Sequence, residues 1–260
     1  MKSRLFAGAI AVVIVGFAYE RIGENRDRSR LPRVGRAVEI GGRSLNIFCS
    51  GAGRPAVIFE SGGGLPGYSW VSIQREIARH SQACWYDRAG YGWSDPARGG
   101  TTSAEIDTRL PEARPRFHLP PTLRPAIASL LHMFKEIGIL RLMNRPTHIR
   151  PEPSGWTPAE WTMVQELAVL PQSDAASQTE WFEPSGAEAR SAGTLGDRPL
   201  IVLAAGKSPA AWLDLQAELA HLSTRGRLVV VKDSGHMVPF EAPGAVVDAI
   251  EAVLRDTSHS

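Results

Sequence analysis

The stretch from 55 to 95 limits the fold of this chain more than any other, because it reads as one complete strand, glycine loop, helix, strand, glycine loop unit. Pro55-Ala56-Val57-Ile58-Phe59-Glu60 is short and mostly apolar and runs into Ser61-Gly62-Gly63-Gly64, the pattern of a buried parallel strand that ends in a tight loop. Trp70, Val71, Ile73, Ile77 and Ala78 then recur at helical spacing, which predicts a short amphipathic helix with Ser69 as its N-cap. Ala83-Cys84-Trp85-Tyr86 returns as a strand. It ends in Asp87-Arg88-Ala89-Gly90-Tyr91-Gly92-Trp93-Ser94-Asp95, a turn rich in residues that tolerate unusual backbone angles.

The rest of the chain builds an α/β domain around this unit. Arg36-Ala37-Val38-Glu39-Ile40 and Ser44-Leu45-Asn46-Ile47-Phe48-Cys49 are separated by Gly41-Gly42-Arg43 and predict an antiparallel hairpin. A helix begins near Ser103, with Ile106 and Leu110 on one face, and the pattern breaks at Pro111. Residues 111–197 are rich in proline and tryptophan and carry helical periodicity, which predicts an inserted helical cap. Leu123, Ile127, Leu130, Leu131, Phe134 and Ile137 mark one cap helix, and Thr157-Pro158-Ala159-Glu160 announces another with a capping box and Pro at the first helical position. The last third alternates strand and helix: a strand at 199–203, a helix at 212–222, a strand at 227–231, then Asp233-Ser234-Gly235-His236 and a closing amphipathic helix at 245–254. The expected boundaries are 1–23 for an N-terminal anchor or signal helix, 24–34 for a linker, 35–110 and 198–260 for the core, and 111–197 for the cap.

Composition bounds the function. With 260 residues, 43% of them hydrophobic and 22% charged, the chain is long enough for one large domain with an insertion. A net charge of +2 with scattered arginines argues against nucleic acid as a partner. Lys2 and Arg4 precede an apolar run of about fifteen residues, 5–19, against the roughly 20 that a span needs. It is read as an uncleaved membrane anchor; a cleaved signal peptide, giving a secreted or periplasmic protein, and a soluble helix are the alternatives. Cys49 and Cys84 both fall in strands and read as two small buried hydrophobes, with a disulfide open to them if the domain lies outside the cytoplasm. No Cys or His has metal-ligand spacing, so no metal and no other cofactor is expected.

This order of elements resembles the α/β-hydrolase fold over nearly all of 35–255. The features that carry it are the hairpin, Ser61-Gly62-Gly63-Gly64 after the third strand, Asp87-Arg88-Ala89-Gly90-Tyr91-Gly92 after the fourth, and Ser234-Gly235-His236 after the last strand, followed by Glu241-Ala242-Pro243. The resemblance implies a mostly parallel sheet with a helical cap, and the chemistry of Ser-His-acid hydrolases acting on ester-type substrates. It assigns the oxyanion role to Gly62, Gly63 and Gly64, where close backbone approach needs glycine, with Leu65 lining the acyl pocket. It assigns the general base to His236. It assigns the acid to neither Asp214, which falls inside a predicted helix, nor Asp233, which stands too close to His236 in sequence.

One part of the family pattern is absent from the sequence. The nucleophile of these enzymes stands in G-x-S-x-G on a strained strand-to-helix turn, and no such motif occurs in the 260 residues. Ser44, Ser69, Ser94 and Ser208 have the first glycine and lack the second, while Ser191 has only the second. Leu110 leads directly into Pro111 and cap-like sequence, so that roughly fifty to sixty residues are missing, judged against two strand-helix repeats. The central strands of the sheet are thereby depleted, and the strand at 55–60 is expected to pair directly with the strand at 199–203, since open edges invite aggregation. The resemblance therefore implies a hydrolase-family protein with little or no activity. The alternatives are a non-catalytic binding module for a small apolar or acyl ligand, an active serine hydrolase whose elbow segment is lost from this version of the sequence, and an enzyme using Ser208, Ser94 or Ser61 as an unorthodox nucleophile.

Overall fold

The computed structural model describes residues 2–96, 133–134, 137–139, 142, 153–168 and 193–257. The expected helix near Ser103 with Ile106 and Leu110, the stripe from Leu123 to Leu131, and Ser191 lie outside these residues.

In chain order the described elements are α1 (Lys2–Arg30), β1 (Arg36–Glu39), β2 (Ser44–Ser50), β3 (Val57–Phe59), a 3-10 turn (Gly67–Trp70), α2 (Val71–Ile77), β4 (Ala83–Tyr86), α3 (Pro158–Ala168), β5 (Leu200–Ala205), α4 (Ala210–Ala220), β6 (Gly226–Val231), α5 (Val238–Glu241) and α6 (Pro243–Thr257). Every strand expected from the sequence is present. The order within the first sheet is β1-β2-β4-β3, and β5 and β6 form a second sheet. The hairpin and the β2·β4 ladder are antiparallel, whereas β3·β4 and β5·β6, each joined through a helix, are parallel.

Direct pairing of β3 with β5 does not occur: among the described residues β3 bonds only β4, and β5 bonds only β6. With three residues, β3 has few rungs to offer. The two sheets meet instead through side chains, Phe59 sharing one core with Ala205, Val238, Phe240 and Val246. The junction is packed rather than hydrogen-bonded.

Two local expectations are also corrected. Ser69 does not cap α2; Trp70 holds that position without a side-chain cap, and the buried Ser69 hydroxyl instead meets Ser61 Oγ at 3.1 Å. Helix α1 runs through the expected linker to Arg30 because nothing breaks it before Pro32, which disfavours helix in the residue ahead of it.

The structure does not support the expected membrane anchor. Among the described residues no helix is long and apolar enough to cross a membrane. Glu20 and Arg21 end the apolar run early, Glu20 is buried against protein, and a Cβ at Gly16 would sit 2.5 Å from the Ile137 carbonyl oxygen. The helix touches its own chain at these positions, while Val12, Val13, Ile14 and Val15 are exposed.

The capping box forms as the sequence specifies. Thr157 N–H donates to Glu160 Oε2 at 2.9 Å, and Glu160 N–H donates to Thr157 Oγ1 at 3.3 Å. Glu160 also pairs with Arg75 of α2. An aromatic triad, Trp156, Trp161 and Phe240, with ring centroids 5.6–5.8 Å apart, fastens α3 to the segment that follows His236.

Candidate active site

The candidate groups sit on turns at the C-terminal ends of parallel strands, where ligands bind in open α/β sheets. Ser61-Gly62-Gly63-Gly64-Leu65 leaves β3, and 87–95 leaves β4. These two turns are latched together. Gly67 N–H donates to Asp87 Oδ1 at 2.7 Å, and Gly64 N–H donates to the Tyr91 hydroxyl at 3.3 Å.

Asp87 is the hub of the latch. Its fully buried carboxylate also accepts Trp93 N–H at 3.1 Å and Asn46 Nδ2 at 3.0 Å. Burial pushes this carboxyl above its ordinary value, against the hydrogen bonds from Trp93, Gly67 and Asn46 and the charge of Arg33, all of which favour the ionised form. A Cβ at Gly92 would lie 2.4 Å from Asp87 Oδ2, so the turn needs glycine there to wrap the carboxylate. In the sequence Asp87 and Tyr91 read only as parts of a turn; the signal for Asp87 is a lone carboxylate at the end of an apolar strand.

The latch decides which N–H groups remain for a ligand. Gly64 N–H is taken by Tyr91, and Leu65 N–H donates to Gly62 O at 3.3 Å. Gly62 and Gly63 are exposed, and among the described residues their N–H groups have no partner. A Cβ at Gly62 would meet nothing within 4 Å. Of the three expected oxyanion glycines, two therefore keep a donor, and Gly64 anchors the loop. Leu65 is half-buried and packs on the core.

His236 stands exposed on the turn after β6. Glu241 shapes that turn: its carboxylate accepts Gly235 N–H at 2.7 Å and Met237 N–H at 3.3 Å, the two peptide groups on either side of His236. Lys207 N–H donates to Ser234 O at 3.1 Å, placing the turn after β5, with Ser208, beside the turn of His236. Among the described residues no hydrogen bond joins His236 to a serine, an acid or the glycine loop. Asp214 lies exposed on α4, and Asp233 is exposed.

Two of the unorthodox serines are engaged elsewhere. Ser61 is buried and donates to Pro66 O at 2.9 Å. Ser94 is buried, donates to Asp87 O at 2.6 Å and accepts Asn46 N–H at 2.8 Å. Cys49 and Cys84 form a disulfide across β2 and β4, and Cys49 is exposed, so neither is a buried thiol; facing each other in register, they are close enough to bond. Among the described residues no group of three His, Cys, Asp or Glu could hold a metal ion.

Several solved structures share this arrangement. A thermophilic esterase from Thermogutta terrifontis superposes with a TM-score of 0.60 at 16% identity, over 85% of this chain and 99% of that one. An α/β-hydrolase fold protein from Burkholderia ambifaria gives 0.56 at 15%, over 85% and 98%. The chain has the α/β-hydrolase fold. The enol-lactonase from Burkholderia xenovorans LB400 shares this fold with a TM-score of 0.53 at 16% identity, over 85% of this chain and all of that one. No family model matches this chain. A stretch of 112 residues is 28% identical to the uncharacterized protein YbdG of Bacillus subtilis, covering 42% of this chain. The match spans about a third of that curated relative's length, 34%.

Proposed function

We propose that this α/β-hydrolase-fold chain binds a small ester-type or acyl ligand at the glycine loop and hydrolyses it poorly or not at all. One observation carries this reading: the loop keeps two backbone donors, Gly62 and Gly63, facing solvent, while the sequence holds no G-x-S-x-G to stand between them and His236. An oxyanion loop stabilises negative charge developing on a carbonyl oxygen. Without a hydroxyl for His236 to deprotonate, that stabilisation has no nucleophilic attack to serve. The engagement of Ser61 and Ser94 in internal hydrogen bonds supports the reading, since each hydroxyl already donates its proton to a backbone carbonyl rather than to a base.

The cap is the remaining part of the proposal. Helix α3, fastened to the core by the aromatic triad, would belong to a cap that sets the size of the ligand; most of the expected cap, 111–197, lies outside the described residues. We also propose a location outside the cytoplasm, supported by the Cys49–Cys84 disulfide and by the apolar run at 5–19 behind Lys2 and Arg4. A C-terminal alkaline phosphatase fusion tests the location: activity supports export, and an inactive but intact fusion refutes it.

The function is tested with short p-nitrophenyl esters, wild type against His236→Ala. Saturable binding with turnover no faster in wild type than in the variant is expected. Robust turnover that His236→Ala abolishes would overturn the proposal.

A further inference from the structure

The two sulfurs of the disulfide have unequal surroundings, and the sheet register shows why. Cys49 of β2 is the register partner of Cys84 of β4, and Ile58 of β3 is the register partner of Cys84 on its other side. Cys49, Cys84 and Ile58 therefore stand in one row on the same sheet face, because side chains paired across neighbouring strands share a face. On the far side of Cys49 the row stops. Strand β1 begins at Arg36, opposite Ile47, and just before it the chain turns over Asn46, whose Nδ2 donates to Val34 O at 2.9 Å. No β1 residue flanks Cys49. Exposure follows from this: Cys49 is exposed, whereas Cys84 is only 6% exposed.

Thiol–disulfide exchange is a displacement at sulfur, and its rate depends on which sulfur can be reached. The incoming thiolate approaches in line, from the side opposite the leaving sulfur. For Cys49 that side is the edge that β1 leaves open. For Cys84 it is occupied by β3, a strand spacing of about 4.8 Å away, with Ile58 directly in the row.

We propose that Cys49 is a one-sided modification site for low-molecular-weight thiols. A thiolate attacks Cys49 Sγ; the new sulfur–sulfur bond forms as the Cys49–Cys84 bond breaks, and Cys84 leaves as a thiolate that takes a proton from water. The incoming thiol is the reductant, and a second equivalent attacking the mixed disulfide yields two protein thiols and the oxidised small thiol. The direction is fixed: the adduct forms on Cys49, and Cys84 is the leaving group. The site is independent of whether the glycine loop binds an ester.

The test uses reduced glutathione on the folded full chain, with acid quenching, N-ethylmaleimide capping and peptide mass spectrometry. Glutathione on Cys49 with maleimide on Cys84 should exceed the reverse pattern by on the order of tenfold, and concentrated urea should bring the ratio to about one. Adducts divided equally in the folded protein, adducts mainly on Cys84, or adducts only in urea would each overturn the proposal. Two single variants give a check that needs no intact disulfide. Cys49 in Cys84→Ser should react with an aromatic disulfide reagent on the order of tenfold faster than Cys84 in Cys49→Ser. Adding Ile58→Ala should speed only Cys84; an unchanged Cys84 rate would contradict the shielding assigned to Ile58.

Discussion

The Asp87 carboxylate accepts the backbone N–H of Gly67 at 2.7 Å, so the turn after β4 fixes the chain that leaves the glycine loop. Asp87→Asn tests this directly. Asn cannot accept at all the positions that the carboxylate serves, and its NH2 would face a donor among Gly67, Trp93 and Asn46. Urea unfolding should show a loss of about 1–3 kcal/mol.

The same pair of proteins has a defined pH dependence. Burial is the largest influence on Asp87 and raises its carboxyl above 3.8, so the folded protein holds this proton more tightly than the unfolded chain. The resulting stability is complete below the unfolded value and is lost as pH rises through the folded one. The gap between wild type and Asp87→Asn should therefore shrink as pH is raised from about 4. A gap that widens over that range would place the shift in the opposite direction.

At Gly92 and Gly62 the same substitution should have very different effects on the fold. A Cβ at Gly92 meets the Asp87 carboxylate, and the residue has φ of +49°, so Gly92→Ala should cost about 1–3 kcal/mol or more. Gly62→Ala meets nothing within 4 Å and should change stability by no more than about 0.5 kcal/mol. Calorimetric melts of the two variants check both statements, and Gly62→Ala should also weaken ester binding, because its methyl stands where a ligand would approach the backbone.

Helix α3 depends on its capping box. Thr157→Ala should cost about 0.5–2 kcal/mol, read by urea unfolding. The Glu160 carboxyl opposes its own burial with hydrogen bonds from Thr157 and Arg75, and the balance holds it below its ordinary value. Its contribution is present above the unfolded value of 4.5 and should fade as pH falls through the lower folded value. Glu160→Gln should remove that part of the acid sensitivity.

Loss of the disulfide should destabilise the fold by about 2–4 kcal/mol, because Cys49 and Cys84 close a loop across a sequence separation of 35. Chemical denaturation of Cys84→Ser against wild type measures it.

Much of this fold could be read from local pattern, where the physics is local. The hairpin, the strands and the capping box of Thr157 and Glu160 depend on periodicity and on residues a few positions apart. What could not be read depends on contacts distant in sequence. Ser69 has the chemistry of an N-cap, yet burial beside Ser61 gives its hydroxyl another partner. Pairing of β3 with β5 was expected from open edges alone, whereas side chains around Phe59 and Ala205 fill the junction. The disulfide required knowing that Cys49 and Cys84 face each other across two strands. In the candidate site, His236 and the glycines followed from their places at strand ends. Tyr91 and Glu241 did not, because their part is to hold backbone N–H groups that no motif records.

A fluorophosphonate probe, which bonds covalently to an activated serine hydroxyl, tests most directly whether this hydrolase fold lacks its nucleophile. The purified full chain would be treated with the probe and the labelled peptide mapped by mass spectrometry, with His236→Ala as the comparison. No serine should be labelled above the level of the variant. Stoichiometric labelling of a single serine in wild type, lost in His236→Ala, would contradict the proposal and identify the nucleophile.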